Sequence, residues 1–124
     1  MPTSGTPRGP LNGVRVIDLT TVMFGPYCTQ IMGEMGADVV KVEGPEGDIS
    51  RQVGNSRSPG MSAAFLIKGR NKRSVVLDLK QPEAREALYK LCATADVFIH
   101  NMRPKAAAKL GIAYEDIELS LIHI

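Results

Sequence analysis

Residues 11–43 read LNGVRVIDL-TTVMFGPYCTQIMGEMGA-DVVKVE, and this stretch decides the fold. The β-branched run at residues 14–19 predicts a buried strand, and residues 38–43 predict a second one. Between them, Pro26 lies where the first turn of a helix favours proline, because no backbone donor is lost there. Strand, turn, helix and strand in this order are typical of the opening unit of an α/β fold.

The predicted helix carries one apolar stripe, with members three to four residues apart: Cys28, Ile31, Met32 and Met35. Gly36 follows as a cap glycine at the carboxyl end of the helix. The second cysteine, Cys92, falls in a later predicted helix. We interpret both cysteines as buried thiols of a protein in a reducing compartment, and therefore expect a cytoplasmic location.

The rest of the chain alternates in the same way. The further predicted elements are strands at residues 74–79 and 96–100, and helices at residues 61–68, from Pro82, from Pro104 to Gly111, and at residues 113–117. Residues 44–60 are rich in Gly, Pro, Ser and Asp and predict a long surface loop. The alternation predicts a parallel sheet with helices on both faces, preceded by a flexible tail at residues 1–10.

Composition excludes several classes of function. The chain has 124 residues, which is enough for one modest domain, and its formal net charge of +2 is too small to indicate a nucleic-acid partner. No apolar run approaches the ~20 residues that span a bilayer, so no membrane partner is expected. The two histidines and two cysteines lack metal-type spacing, so no metal site is expected.

The turn after the first predicted strand lacks the glycine-rich fingerprint of a dinucleotide binder, since it contains Met23, Phe24, Gly25 and Pro26. Ligands of open α/β sheets bind beyond the carboxyl ends of the strands, where this turn lies. Two interpretations stay open: the two large side chains contact a ligand, or they only cover the end of the sheet. At the end of the second strand, Glu43 is expected to pair with a nearby lysine or a loop cation.

Basic residues occur at both ends of the later strands. Residues 70–74 (RNKRS) precede the third predicted strand and form either a solvated basic loop or a phosphate clamp. Lys80, Arg103 and Lys109 follow strands three and four and lie on the ligand edge. Apolar and amide groups together with these cations predict a nucleotide-like ligand that carries phosphates.

Taken in order, these motifs resemble the family III CoA-transferases, which include formyl-CoA transferase, carnitine CoA-transferase and α-methylacyl-CoA racemase. The matching segments are residues 10–19, 25–26, 36–43, 47–48, 71–74, 77–80, 95–101 and 109–111. The resemblance covers residues 10–118. It implies a Rossmann-like amino-terminal domain that binds coenzyme A, present here as an incomplete domain over residues 11–118.

The resemblance also implies an activity for the intact enzyme. Coenzyme A would move between an acyl-CoA and a carboxylic acid through a downstream aspartate that forms acyl-anhydride intermediates. No cofactor would be tightly bound, and two full-length chains would interlock as a homodimer. Because the aspartate lies outside this sequence, the fragment itself is expected to be inactive. The alternatives are a fragment of an acyl-CoA racemase of the same family, and a non-catalytic nucleotide-binding α/β module.

Ten coenzyme contacts carry over from the resemblance, and no catalytic residue does. They follow the first, third and fourth predicted strands: Met23, Phe24, Leu77, Asp78, Leu79, Lys80, Asn101, Met102, Arg103 and Lys109. Three positions depart from the family pattern. Gly44 stands where some members have arginine, Thr21 where formyl-CoA transferase has histidine, and Met102 where an aromatic residue is common.

The last six residues, 119–124 (LSLIHI), break the pattern of the chain. They match the forward translation of the transposase adapter used in sequencing libraries. We interpret them as non-native read-through after Glu118, which removes His123 as a candidate general base.

Overall fold

A computed structural model describes residues 9–118 of the chain. Its four strands are β1 (Arg15–Leu19), β2 (Asp38–Glu43), β3 (Lys72–Val76) and β4 (Val97–His100). They form one parallel sheet in the order β3-β2-β1-β4, which is the order of a Rossmann-type half-sheet. The predicted α/β class is therefore confirmed. The predictions for residues 1–8 and for the read-through at 119–124, including His123, lie outside the described residues.

The helices are α1 (Phe24–Glu34), α2 (Ala63–Gly69), α3 (Pro82–Cys92), α4 (Pro104–Leu110) and α5 (Tyr114–Glu118). Pro82 and Pro104 open their helices as predicted, and Gly111 ends α4 in the left-handed conformation. The loop predicted at residues 44–60 contains a short 3₁₀ turn, Ile49–Gln52. Within residues 9–118, none of the helices combines the length and apolarity that crossing a bilayer requires.

Apolar side chains cover both faces of the sheet, because successive residues of a strand point to opposite sides. On one face, Ile17 and Val40 pack with Leu88 of α3 and with residues of α4 and α5. On the other face, Val16 and Val39 pack against the α1 side of the fold. The prediction of helices on both faces is confirmed.

Only part of the apolar stripe predicted for α1 faces the core, where Met32 packs against the cluster of Val16 and Val39. Cys28 and Met35 are exposed, whereas the buried residues of the helix are Pro26, Thr29 and Gln30. The reason lies in the sheet, where the facing residue is the buried Asp18, and the Thr29 hydroxyl donates to its carboxylate at 2.6 Å. A polar helix face thus satisfies a buried charge, and Cys28 and Met35 of the stripe are turned outward.

The two cysteines have different environments, so one half of the prediction of buried thiols is wrong. Cys28 is exposed on the outer side of α1, whereas Cys92 is buried at the end of α3. Burial disfavours the thiolate and raises the pKa of Cys92 to about 11. Cys92 is therefore a packing residue of the core.

Candidate functional site

A cavity of about 510 Å³ opens at the carboxyl ends of β1, β2 and β3. Residues 19–21, 41–48 and 77–80 line it, and Met102 and Leu110 add apolar surface from the α4 side. The carboxyl edge of a parallel sheet is where α/β folds bind ligands, and the volume lies in the range of small-molecule sites, about 300–1,000 Å³. This cavity is the candidate site.

Five of the ten predicted contacts line this cavity: Leu77, Asp78, Leu79, Lys80 and Met102. They are brought together because β3 ends at Val76, three residues earlier than predicted. The Asp78 carboxylate accepts from the Lys80 N–H at 3.1 Å and the Asp78 carbonyl accepts from the Gln81 N–H at 2.9 Å. This turn ends the strand and directs its last predicted residues into the cavity wall.

The other five predicted contacts do not line the cavity: Met23, Phe24, Asn101, Arg103 and Lys109. Phe24 opens α1 with 84% of its surface exposed, and Met23 precedes it, also exposed. Arg103 and Lys109 are exposed and lie next in sequence to Met102 and Leu110, which do line it. The contact of their two cations with a ligand stays a prediction.

Asn101 bridges the loops that follow β1 and β4. Its side chain accepts from the Thr21 N–H at 3.1 Å and donates to the Thr21 carbonyl at 2.9 Å. The neighbouring strands β1 and β4 mark the point where the strand order reverses, which is the usual ligand crevice of such a sheet. Here the bridge spans that point, and the cavity extends over β1, β2 and β3 instead.

The turn after β1 is strained at Val22, whose φ is 72°. A β-branched residue in this region is a conformational outlier, and such residues persist only when their surroundings hold them. Lys41 Nζ donates to the Thr20 carbonyl at 2.9 Å, and the Val22 N–H lies 3.3 Å from both oxygens of Asp48. The lysine and the aspartate also form a buried salt bridge of 3.1 Å.

Lys72 and Asp18 form a second buried salt bridge, with side chains 2% and 0% exposed and 3.0 Å apart. Lys72 Nζ also donates to the Thr29 hydroxyl at 2.7 Å and the Pro26 carbonyl at 2.8 Å, so its three hydrogens all have acceptors. Burial lowers the pKa of Lys72, and the charge of Asp18 opposes that shift. Lys72 therefore stabilises the fold rather than binding a ligand.

The three cations of residues 70–74 have different environments. Lys72 is buried, Arg73 pairs with Asp38 at 2.7 Å, and Arg70 pairs with Glu34. Each cation of the segment thus has a carboxylate partner in the fold. The side chains of Arg70 and Arg73 are nevertheless 59% and 65% exposed, so a phosphate clamp stays a prediction, whereas the segment is only in part a loop, since β3 begins at Lys72.

Glu43 pairs with a loop cation, as one of its predicted alternatives states. Arg51 donates to both of its oxygens, at 2.7 and 2.8 Å, and the Asp48 N–H donates to it at 2.9 Å. Burial favours the neutral acid, but the hydrogen bonds from Arg51 and Asp48 outweigh it and lower the pKa of Glu43. The pKa of Asp48 is lowered too, since bonds from Ser50 and Lys41 outweigh its burial.

These lowered pKa values predict acid sensitivity. The ordinary pKa values are 4.5 for Glu43 and 3.8 for Asp48, and the folded values lie below them. In that window the unfolded chain binds more protons, so this stability is full above pH ~5 and is lost as pH falls through the folded pKa values. Urea unfolding at a series of pH values measures it. The Glu43→Gln variant should lose less stability on acidification, and equal losses in both proteins contradict the assignment.

Sequence reasoning missed the wall that follows β2, residues 44–48, and the buried Lys41 beside it. One signal was present in DVVKVE, since a lysine inside a β-branched buried strand requires a buried acceptor. Asp48, seven residues later, supplies that acceptor. The pairing of these two residues folds the loop back over the sheet edge and forms the wall.

Together, the sheet order and the cavity define an α/β domain with a candidate ligand site at the carboxyl edge of its strands. The model of the family described as CoA-transferase family III matches residues 11–120. Since the match spans most of the chain, the protein belongs to CoA-transferase family III.

Similar proteins agree with this assignment. The chain is 40% identical over 116 residues to succinyl-CoA:glutarate CoA-transferase of Mus musculus, covering 93% of this chain and 27% of that protein. It is 43% identical over 107 residues to the succinyl-CoA–L-malate CoA-transferase beta subunit of Chloroflexus aurantiacus, covering 86% and 26%. The crystal structure of a CAIB/BAIF family protein from Brucella suis matches with a TM-score of 0.85 at 36% identity, covering 92% and 31%. The chain thus spans about a quarter to a third of the length of these proteins.

Proposed function

We propose that this chain binds the coenzyme A part of an acyl-CoA, within an enzyme that moves coenzyme A between an acyl-CoA and a carboxylic acid. The observation that carries the proposal is the cavity at the carboxyl edge, whose wall at residues 77–80 coincides with a segment shared with the family. The mouse and Chloroflexus relatives, both named as CoA-transferases, support it.

The chemistry of the cavity suits the two ends of a nucleotide. Leu77, Leu79 and Met102 offer apolar surface to a flat adenine ring. Lys80 and Arg103 are exposed cations at or beside the rim, where phosphates stay partly solvated. We place the adenine inside the cavity and the phosphates along the rim, with no cofactor bound besides the substrate.

We propose that the chain binds coenzyme A but does not transfer it alone. In the family resemblance the reaction uses an aspartate beyond this sequence. The buried carboxylates Asp18, Glu43 and Asp48 are poor substitutes, because each is paired with a buried or partly buried cation. A carboxylate nucleophile needs free lone pairs and access to the thioester carbonyl.

We further propose that the full-length enzyme is a cytoplasmic homodimer. Phe24 on α1 and Leu66 and Ile67 on α2 are at least half exposed, and these two helices pack together. Such apolar residues on neighbouring helices are typical of a surface that another part of the enzyme covers. The free thiols of Cys28 and Cys92 agree with a reducing compartment.

Removing the two cations tests the binding mode. We expect Lys80→Ala and Arg103→Ala each to weaken coenzyme A binding by about three- to tenfold, because each removes a charge-assisted contact to phosphate. Isothermal titration of the 124-residue chain with coenzyme A measures this. Lys90→Ala is the matched control, since this exposed lysine lies on α3 and does not line the cavity.

The choice of ligand sharpens the test. Dephospho-coenzyme A lacks the ribose phosphate, and pantetheine lacks the whole nucleotide. If the cavity holds the nucleotide, pantetheine should bind far more weakly than coenzyme A. The site is assigned wrongly if coenzyme A and pantetheine bind with equal affinity. It is also assigned wrongly if the affinity for coenzyme A is unchanged in both cation variants.

A further inference from the structure

The turn between β1 and α1 is held from three directions by side chains of other segments. Lys41 of β2 donates to the carbonyl of Thr20 at 2.9 Å, and the carboxylate of Asp48 accepts from the N–H of Val22. The amide of Asn101 holds the residue between them through both of its polar atoms. Carbonyl and N–H groups of three successive residues thus depend on side chains from outside the turn.

The turn that these contacts hold also contains a residue with a strained backbone conformation. Val22 has a φ of 72°, a conformation that costs a β-branched residue free energy, and its own side chain is about half exposed. Packing of that side chain therefore does not explain the conformation. The polar contacts to the backbone remain as its cause.

The residues of this turn belong to the candidate site. Thr20 and Thr21 line the cavity beside the wall of residues 44–48. Asp48 connects the turn to this wall. It is the last residue of the wall, and its carboxylate accepts hydrogen bonds from Val22 and Lys41. A change at Asp48 is thus transmitted to both sides of the cavity.

Asp48 has little capacity left for a ligand. Its side chain is 1% exposed, and its oxygens accept from Lys41 Nζ at 3.1 Å, from the Ser50 N–H at 2.9 Å and from Val22. A carboxylate would also repel phosphates. Its effect on a ligand must therefore pass through the groups that it holds.

We propose that Asp48 is a positioning residue: together with Lys41 it holds the Val22 turn in its strained form and so sets the affinity of the cavity for its ligand. The inference rests on the proposed function in one respect, since coenzyme A is the ligand whose affinity is measured. The conformation of the turn is measurable without any ligand.

The test compares two carboxylates in the 124-residue chain: Asp48, in the loop after β2, and Asp38, at the start of β2. Asp48→Asn keeps the shape of the side chain and removes its charge, and we expect it to weaken coenzyme A binding about tenfold or more. Asp38→Asn is the matched control, because the same change then falls on a carboxylate held by Arg15 and Arg73 at the opposite end of the strand. Its coenzyme A affinity should equal that of the wild type.

A rescue variant separates positioning from a general loss of structure. Glycine adopts positive φ without strain, so Val22→Gly in the Asp48→Asn background should recover most of the lost affinity. A double variant that binds no better than Asp48→Asn overturns the proposal. So does a double variant that fails to fold, because Asp48 would then serve the fold alone.

Amide hydrogen exchange at Val22 tests without any ligand whether Asp48 holds the turn. We expect its exchange to be faster in Asp48→Asn than in the wild type and in Asp38→Asn, and equal exchange in all three overturns the proposal. A wild-type chain that binds no coenzyme A would count against the proposed function, whereas the exchange rates would still support or overturn the role of Asp48.

Discussion

Replacing Lys72 with methionine is expected to lower the free energy of unfolding by about 3–5 kcal/mol, because it leaves the carboxylate of Asp18 buried without a countercharge. Asp18 is fully buried beneath α1, and Lys72 is the cation within salt-bridge distance of it, at 3.0 Å. The Thr29 hydroxyl and the Thr20 N–H would remain as donors but carry no charge. Urea unfolding followed by circular dichroism measures the loss.

The neighbouring cation of the same strand supplies the control. Arg73 follows Lys72 in β3, but its pair with Asp38 is exposed, so Arg73→Met should cost only about 0–1 kcal/mol. Asp18→Asn in the Lys72→Met background should recover part of the stability, since a neutral amide is cheaper to bury than an unpaired carboxylate. Equal losses in the two methionine variants would contradict a buried ionic centre.

The strands β1, β2 and β4 were predictable from their own residues. Predicted residues 38–43 coincide with β2, and the predictions at 14–19 and 96–100 are one residue too long at their starts. These strands are rich in β-branched and other apolar residues, a pattern that is visible in a single sequence. The proline at the start of α3 and the glycine after α4 act locally, so those helix ends were predictable as well.

The predictions failed where the local structure depends on a charged partner that is distant in sequence. The start of β3 was predicted two residues late because Lys72 and Arg73 are typical of a loop, although their partners Asp18 and Asp38 lie on other strands. The outward position of Cys28 has the same origin, since Thr29, the next residue of α1, faces Asp18. Local periodicity contains no information on a partner 54 residues away.

The candidate site, too, was predictable only in part. The sheet-edge rule and the family resemblance led to residues 77–80 and Met102, and these line the cavity. The wall at residues 44–48 was missed, because a loop rich in glycine and proline has no periodic pattern. Its position depends on the pairing of Asp48 with Lys41, which is a tertiary contact.

Gly25 is the position where an added methyl group should do the most damage at the site. A Cβ placed there would lie 2.6 Å from Cγ2 and 2.8 Å from Oγ1 of Thr20, which is buried and bonded to Asp18. Since the neighbour has no free space to move into, Gly25→Ala should cost about 1–3 kcal/mol of stability. Thr20 also lines the cavity, so coenzyme A affinity should fall with it.

Gly44→Ala is the matched control for this prediction, because no heavy atom lies within 4 Å of the Cβ it would add. Its stability should stay within about 0.5 kcal/mol of the wild type. Thermal unfolding of both variants makes the comparison, and a Gly25→Ala chain as stable as Gly44→Ala would mean that α1 does not approach β1 as closely as described. The expected difference follows from one physical cause: the first turn of α1 lies directly on the Thr20 side chain, and only a residue without Cβ permits that contact.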